Sequence, residues 1–140
     1  MSSIRKTMRL WDALFIFFLF SVFACWAIAL WGVGPDVDQG EVYRILYLHV
    51  PVAWCAFVWI FWGAWCAARV LFTKDPLVRE VWDRRSYSAI ELGTLFSFLV
   101  LVTGSIWGRP TWGVWWDWDP RLTSSLVMFL SPADIWFAVA

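Results

Sequence analysis

Ile45-Leu46-Tyr47-Leu48-His49-Val50-Pro51-Val52-Ala53-Trp54-Cys55-Ala56-Phe57-Val58-Trp59-Ile60-Phe61-Trp62-Gly63-Ala64-Trp65-Cys66-Ala67-Ala68 is an uninterrupted apolar run whose one readily ionisable side chain, besides Tyr47, is His49. About 20 such residues cross the hydrocarbon layer as a helix, so the run reads as a membrane span. Helical steps of three and four from His49 reach Ala53, Ala56, Ile60, Gly63 and Ala67, a stripe of mostly small residues. Small residues let membrane helices approach closely. A second stripe, Val50, Trp54, Phe57, Phe61 and Trp65, is bulky and suited to lipid. His49 therefore points toward neighbouring helices. Pro51 lacks an N–H and is cheap in a first turn. The regular helix is accordingly expected to start near His49, with 43–48 as a lead-in at the outer interface.

Outward from this span, residues 13–31 carry no charge. Residues 92–107 form a third apolar run, full length if 88–91 supply its first turn, with Gly93, Ser97, Val100 and Gly104 on one face. This face is expected to pack on the small stripe of the second span. A fourth run starts near Leu122 and is interrupted by Pro132 and Asp134. The reading is an all-α integral membrane protein, a single membrane domain over 1–140. Its helices are expected at about 11–32, 46–70 and 88–108, with a partial fourth at 122–138 and a Trp-rich loop at 107–121. Composition agrees: 61% of the 140 residues are hydrophobic, 16% charged and 21% aromatic, with 14 Trp. Soluble domains average about 45–50% apolar and about 25% charged residues. Eleven basic and eleven acidic residues balance, which gives no argument for nucleic acid.

Orientation follows from the basic residues. Arg5, Lys6 and Arg9 precede the first span, and Arg69, Lys74, Arg79, Arg84 and Arg85 follow the second. These segments are expected on the cytoplasmic side, with His49 and the Trp-rich loop outside. The first run also resembles a signal peptide, with Ala27-Ile28-Ala29 as a cleavage-like site, but its apolar stretch exceeds the roughly 7–15 residues of such a region. A retained helix is the expectation.

Cys25, Cys55 and Cys66 sit in apolar runs without CxxC or CxxCH spacing, so neither a zinc site nor covalent haem attachment is supported. No Ser–His–Asp motif is recognised, and no phosphate-cradling glycine loop is present. The segment Trp107-Gly108-Arg109-Pro110-Thr111-Trp112-Gly113-Val114-Trp115-Trp116-Asp117-Trp118-Asp119-Pro120-Arg121-Leu122-Thr123 says more. One reading is an interfacial aromatic belt. The favoured reading is a stacking surface for a large planar ligand, since clustered indoles exceed what a belt needs. Porphyrin is the membrane-compatible candidate. Arg109 and Arg121 could meet its propionates. Asp117 and Asp119 would orient those arginines or cap the next helix, Asp119-Pro120 matching an N-cap and N1. His49 stays open between an interfacial, hydrogen-bonded histidine and a haem-iron ligand.

Three segments carry a family resemblance: Tyr43-Arg44-Ile45-Leu46-Tyr47-Leu48-His49-Val50-Pro51, Leu101-Val102-Thr103-Gly104-Ser105-Ile106-Trp107-Gly108, and residues 112–123 ending in Asp-Pro-Arg-Leu-Thr. Together they resemble the bacterial haem exporter protein C family (CcmC type) of cytochrome c maturation, over roughly residues 9–130. The resemblance implies a multi-pass inner-membrane protein that is not an enzyme. Its Trp-rich loop would be periplasmic and would present non-covalent, transiently bound haem b to a periplasmic haem chaperone. An ATP-binding-cassette transporter complex and a small membrane subunit are the implied partners. On this mapping His49 takes the family's first axial-ligand position, and Trp112, Trp115, Trp116, Trp118 and Asp119 fall in the haem platform. The resemblance also implies six helices and a second axial histidine after the fifth. With one histidine and the tail Ser-Pro-Ala-Asp-Ile-Trp-Phe-Ala-Val-Ala, the expectation is a truncated or frame-shifted product or an incomplete gene model. From other classes, a membrane interaction subunit anchored by its Trp loop is the alternative. A solute transporter component is disfavoured by the scarcity of polar residues in the spans.

Overall fold

The computed structural model describes residues 2–139, with side chains from 10 to 132. The described residues are helical apart from short connections, and no strand occurs among them. Three helices are long and apolar enough to cross a membrane. The backbone divides into two compact units, 1–47 and 48–140.

In the first unit, α1 (Ser2–Ala27) closes in a π-helical turn at Ile28–Gly32. Most of its aromatic side chains, among them Trp11, Phe15, Phe18 and Phe20, lie more than half exposed, as a lipid-facing helix requires. The connection back is built by two side chains. Asp36 Oδ1 accepts from the N–H groups of Asp38 and Gln39, both at 2.9 Å, and Gly40 takes the positive φ of 58° that completes the reversal. Arg44, on the 3₁₀ turn Glu41–Ile45, pairs with Glu41 at 2.8 Å and donates to the carbonyls of Leu30 and Val33. The carbonyls freed where α1 ends thereby gain donors.

The second unit holds most of α2 (Leu46–Phe72), all of α3 (Pro76–Trp112) and α4 (Pro120–Val139). α2 starts at Leu46, directly after the 3₁₀ turn and three residues ahead of His49. Pro51 is tolerated one turn in, where it costs the Tyr47 carbonyl its helical partner. α3 starts at Pro76 instead of near 88. Asp75 is its N-cap, accepting from Leu77 N–H at 2.9 Å, and Pro76 fills the first position. Glu80 and Arg84 then pair at 2.5 Å one turn apart. The basic segment after the second span is therefore mostly helix. At about 1.5 Å per residue, α3 is roughly 55 Å long, beyond the ~30 Å hydrocarbon layer, so its charged first turns lie outside that layer.

α2 and α3 meet along the expected small-residue faces. Ala56, Gly63, Ser86, Ala89, Gly93, Ser97 and Val100 are buried, while Val50, Trp54, Phe57, Phe61 and Trp65 are exposed. A Cβ at Gly93 would lie 2.7 Å from Ile60 Cγ1, and one at Gly63 would lie 3.0 Å from Ile90 Cγ1. Ser86 Oγ donates to the Gly63 carbonyl at 3.0 Å across the seam. One position differs: Cys66 is fully buried and Ala67 exposed. α4 packs on α3, with the rings of Phe98 and Phe129 6.1 Å apart. Its backbone runs through Pro132 to Val139, where the sequence suggested an interruption. Proline removes one helical hydrogen bond without ending every helix that carries it.

Candidate functional site

The end of α3 is shaped by its sequence. Gly108 is buried under the indole of Trp112; a Cβ there would lie 3.3 Å from Trp112 Cε3. Trp112 in turn meets Trp107 edge-on, with centroids 5.0 Å apart. Both belong to the helix, so residues 107–112 of the expected Trp-rich loop are helical, and the connection is confined to residues 113–119. Gly113 ends α3 in the left-handed region at φ 79°, its N–H donating to the Arg109 carbonyl at 3.0 Å. The Arg109 guanidinium closes the same cap by donating to the Gly113 carbonyl.

Asp119 begins α4. Its Oδ1 accepts from Leu122 N–H at 2.9 Å, and its Oδ2 holds Arg121 through Nε at 3.0 Å and Nη2 at 2.6 Å. Both roles suggested by sequence, capping and orienting an arginine, fall to this one carboxylate. The Leu122 N–H first, and Arg121 second, hold its pKa below the ordinary carboxylate value. Arg121 also lies over the Trp112 ring, 5.4 Å from its centroid.

His49 enters from α2. Its Nδ1 is 2.8 Å from Thr103 Oγ1, and its ring lies against Gly104, where a Cβ would sit 3.3 Å from His49 Cε1. Together with Trp107, Trp112, Arg121 and Ser125, His49 lines a cavity of about 190 Å³. This is smaller than the roughly 300–1,000 Å³ of pockets that enclose a drug-sized ligand. Such a cavity can receive the edge of a large flat molecule, not its whole area. A wider apolar groove of about 570 Å³ lies on the aromatic side of α2, lined by Trp54, Phe57, Trp59 and Phe61 among others, and it offers no ionisable group.

Of the residues selected from sequence, His49, Trp112 and Arg121 therefore converge, with Asp119 one contact behind Arg121. Arg109 is occupied in its own helix cap, and the cavity lining does not include it. Trp115, Trp116 and Trp118 stand on the connection, outside that lining. Trp115 and Trp118 are 60% and 73% exposed. Trp116 packs edge-on against Trp118 at 5.6 Å, and its Nε1 is buried without a hydrogen-bond partner among the described residues. An unmet buried donor costs about 1–3 kcal/mol unless a ligand or partner meets it. Trp107 and Ser125 line the cavity and Thr103 backs His49, although none of the three stands out by itself in the sequence as a site residue. Trp107 opens the Trp-rich segment, and Thr103 shares a helical face with Val100 and Trp107, so both are legible in the sequence. Ser125 becomes relevant only once α4 folds beside α3.

The heme exporter protein C family model matches residues 2–136. "Heme exporter protein C" of Bradyrhizobium diazoefficiens is 42% identical over 97 residues, covering 68% of this chain and 35% of that protein. The Escherichia coli K12 protein of the same name is 38% identical over 120 residues, covering 78% and 45%. A putative cytochrome c biosynthesis ccmC-like mitochondrial protein of Arabidopsis thaliana is 46% identical over 99 residues, covering 70% and 37%. The chain thus spans between about a third and a half of the curated relatives it matches.

Proposed function

The chain belongs to the heme exporter protein C family, and from that premise we propose that it binds haem and presents it at the periplasmic rim of the bacterial inner membrane for c-type cytochrome biogenesis. The observation that carries this reading is the gathering of His49, Trp107, Trp112 and Arg121 around one open cavity at the meeting of three helices. The donor set suits haem: an imidazole for iron, indole surfaces for the macrocycle and a guanidinium for a propionate. Thioether attachment lacks a CxxCH segment, so the cargo is held non-covalently, as haem b.

The geometry also favours release. Arg121 is 78% exposed, and exposed ion pairs are worth only about 0–1 kcal/mol. Retention then rests on the His49–iron bond and on indole contact, and a cavity that admits one edge leaves the rest of the ring accessible to an acceptor. The acceptor in this proposal is a periplasmic haem chaperone. An ATP-binding-cassette transporter complex and a small membrane subunit are the partners that act with it, and the chain itself makes and breaks no covalent bond in the cargo.

The test is visible absorption of the purified full chain titrated with haem in lipid nanodiscs. A saturable Soret band that His49→Ala weakens by about tenfold or more in affinity is expected. Absence of any bound haem overturns the reading. The exposure of Trp115 and Trp118 away from the cavity favours a second reading, in which those indoles anchor the chain in the interface. That reading expects replacement of Trp115 and Trp116 by Phe to leave haem binding unchanged. A loss of binding on the same replacement assigns them to the haem platform.

A further inference from the structure

His49 and Thr103 make a contact whose direction can be worked out from the atoms around it. Thr103 is buried, and its Oγ1 lies 2.7 Å from the Leu99 carbonyl and 3.3 Å from the Val100 carbonyl. Both neighbours accept only, and a hydroxyl has one proton to give. Threonine in a helix ordinarily donates that proton to the carbonyl four residues back. The lone pairs of Oγ1 are then what faces His49 Nδ1 at 2.8 Å. With the hydroxyl proton given to the Leu99 carbonyl, two acceptors cannot share that distance, and the imidazole is then the donor. We propose that Thr103 is a positioning residue that fixes His49 as its Nδ1–H tautomer and so leaves the Nε2 lone pair as the one free to bind iron. This rests on the haem reading above for its purpose, although not for its geometry.

Two further contacts make the arrangement selective. Gly104 admits the ring edge, since a side chain there would meet Cε1 within 3.3 Å. Val100 and Thr103 are buried on the same face of α3, which holds the hydroxyl against the ring. An outer acceptor on the non-ligating nitrogen both orients an imidazole and raises its basicity toward a metal. Haem affinity should therefore depend on a residue that does not touch haem.

The experiment uses the full chain in nanodiscs, free of haem and labelled with ¹⁵N-histidine. Because the chain has one histidine, the two ring nitrogens of His49 are the only labelled ring signals. At a pH where the ring is neutral, the expected spectrum has a protonated, pyrrole-type Nδ1 and an unprotonated, pyridine-type Nε2. Thr103→Val keeps the shape but removes the acceptor, and should shift the tautomer ratio about fivefold or more toward Nε2–H, the bias that an ordinary hydrogen bond sustains. Thr103→Ser should restore it. A wild-type spectrum dominated by Nε2–H overturns the proposal by itself, even if the valine variant fails to insert. An unchanged ratio in Thr103→Val overturns it equally. Haem titration of the same samples separates the two readings. A correct tautomer with no haem uptake supports the Thr103 assignment and overturns the haem function.

Discussion

At the scale of single residues, the same chemical groups serve as structure and as site. Asp119 caps α4 through Leu122 and holds Arg121 in place over Trp112. Asn can accept the capping bond but cannot balance the guanidinium charge. Asp119→Asn should therefore leave the first turn of α4 protected while freeing Arg121, and haem affinity should rise a fewfold. Asp119→Ala should lose the cap as well, speeding hydrogen exchange at the Leu122 and Thr123 amides by about tenfold. Mass spectrometry of exchanged peptides over 119–126 reads both. The pH dependence has a definite sign. Because the folded pKa of Asp119 is lowered, the stabilisation is present above the ordinary carboxylate pKa of about 3.9 and is lost as pH falls through the lowered value. The cap should remain intact at pH 5.

At the scale of helices, the packing reverses that of a soluble bundle. Glycine, alanine, serine and threonine fill the α2–α3 seam, and the aromatic residues look outward. Close approach between backbones, together with hydroxyl hydrogen bonds, replaces hydrophobic burial as the source of association. Gly93 is the tightest point, with Ile60 Cγ1 only 2.7 Å from the Cβ it lacks and the Ile60 backbone nitrogen 3.2 Å away. Gly93→Ala should cost about 1–3 kcal/mol through overpacking. Ile60→Ala should relieve part of that cost in the double variant, since the side-chain clash goes and the backbone contact remains. Thermal unfolding in a mild detergent gives the coupling between the two sites. Helix ends were as legible as helix faces where a cap was written out. Asp75-Pro76 and Asp119-Pro120 carry the same signal, but the five basic residues between 69 and 85 give the first the look of a loop. Charge and helix are compatible when helix extends past the membrane.

For the molecule as a whole, charge distribution sets a testable orientation. Eight of the eleven basic residues lie in the first turns of α1 or between Arg69 and Arg85. With these held cytoplasmic, a cysteine placed at Lys74 should react with a membrane-impermeant maleimide only after permeabilisation. One placed at Asp117, exposed on the 113–119 connection, should react in intact spheroplasts. The reverse pattern would remove the periplasmic site on which the proposed haem presentation depends. The sequence by itself determined the spans, the inner and outer faces of α2 and α3, and the cap at Asp119, because each is a repeat or a spacing along one chain segment. Which aromatic residues share a cavity with His49 was decided only by the tertiary structure. Gly113 turns the chain at positive φ, α4 returns beside α3, and Trp107, Trp112 and Arg121 gather there while Trp115 and Trp118 are left outside. Such a meeting depends on how distant helices pack, and no local periodicity encodes it.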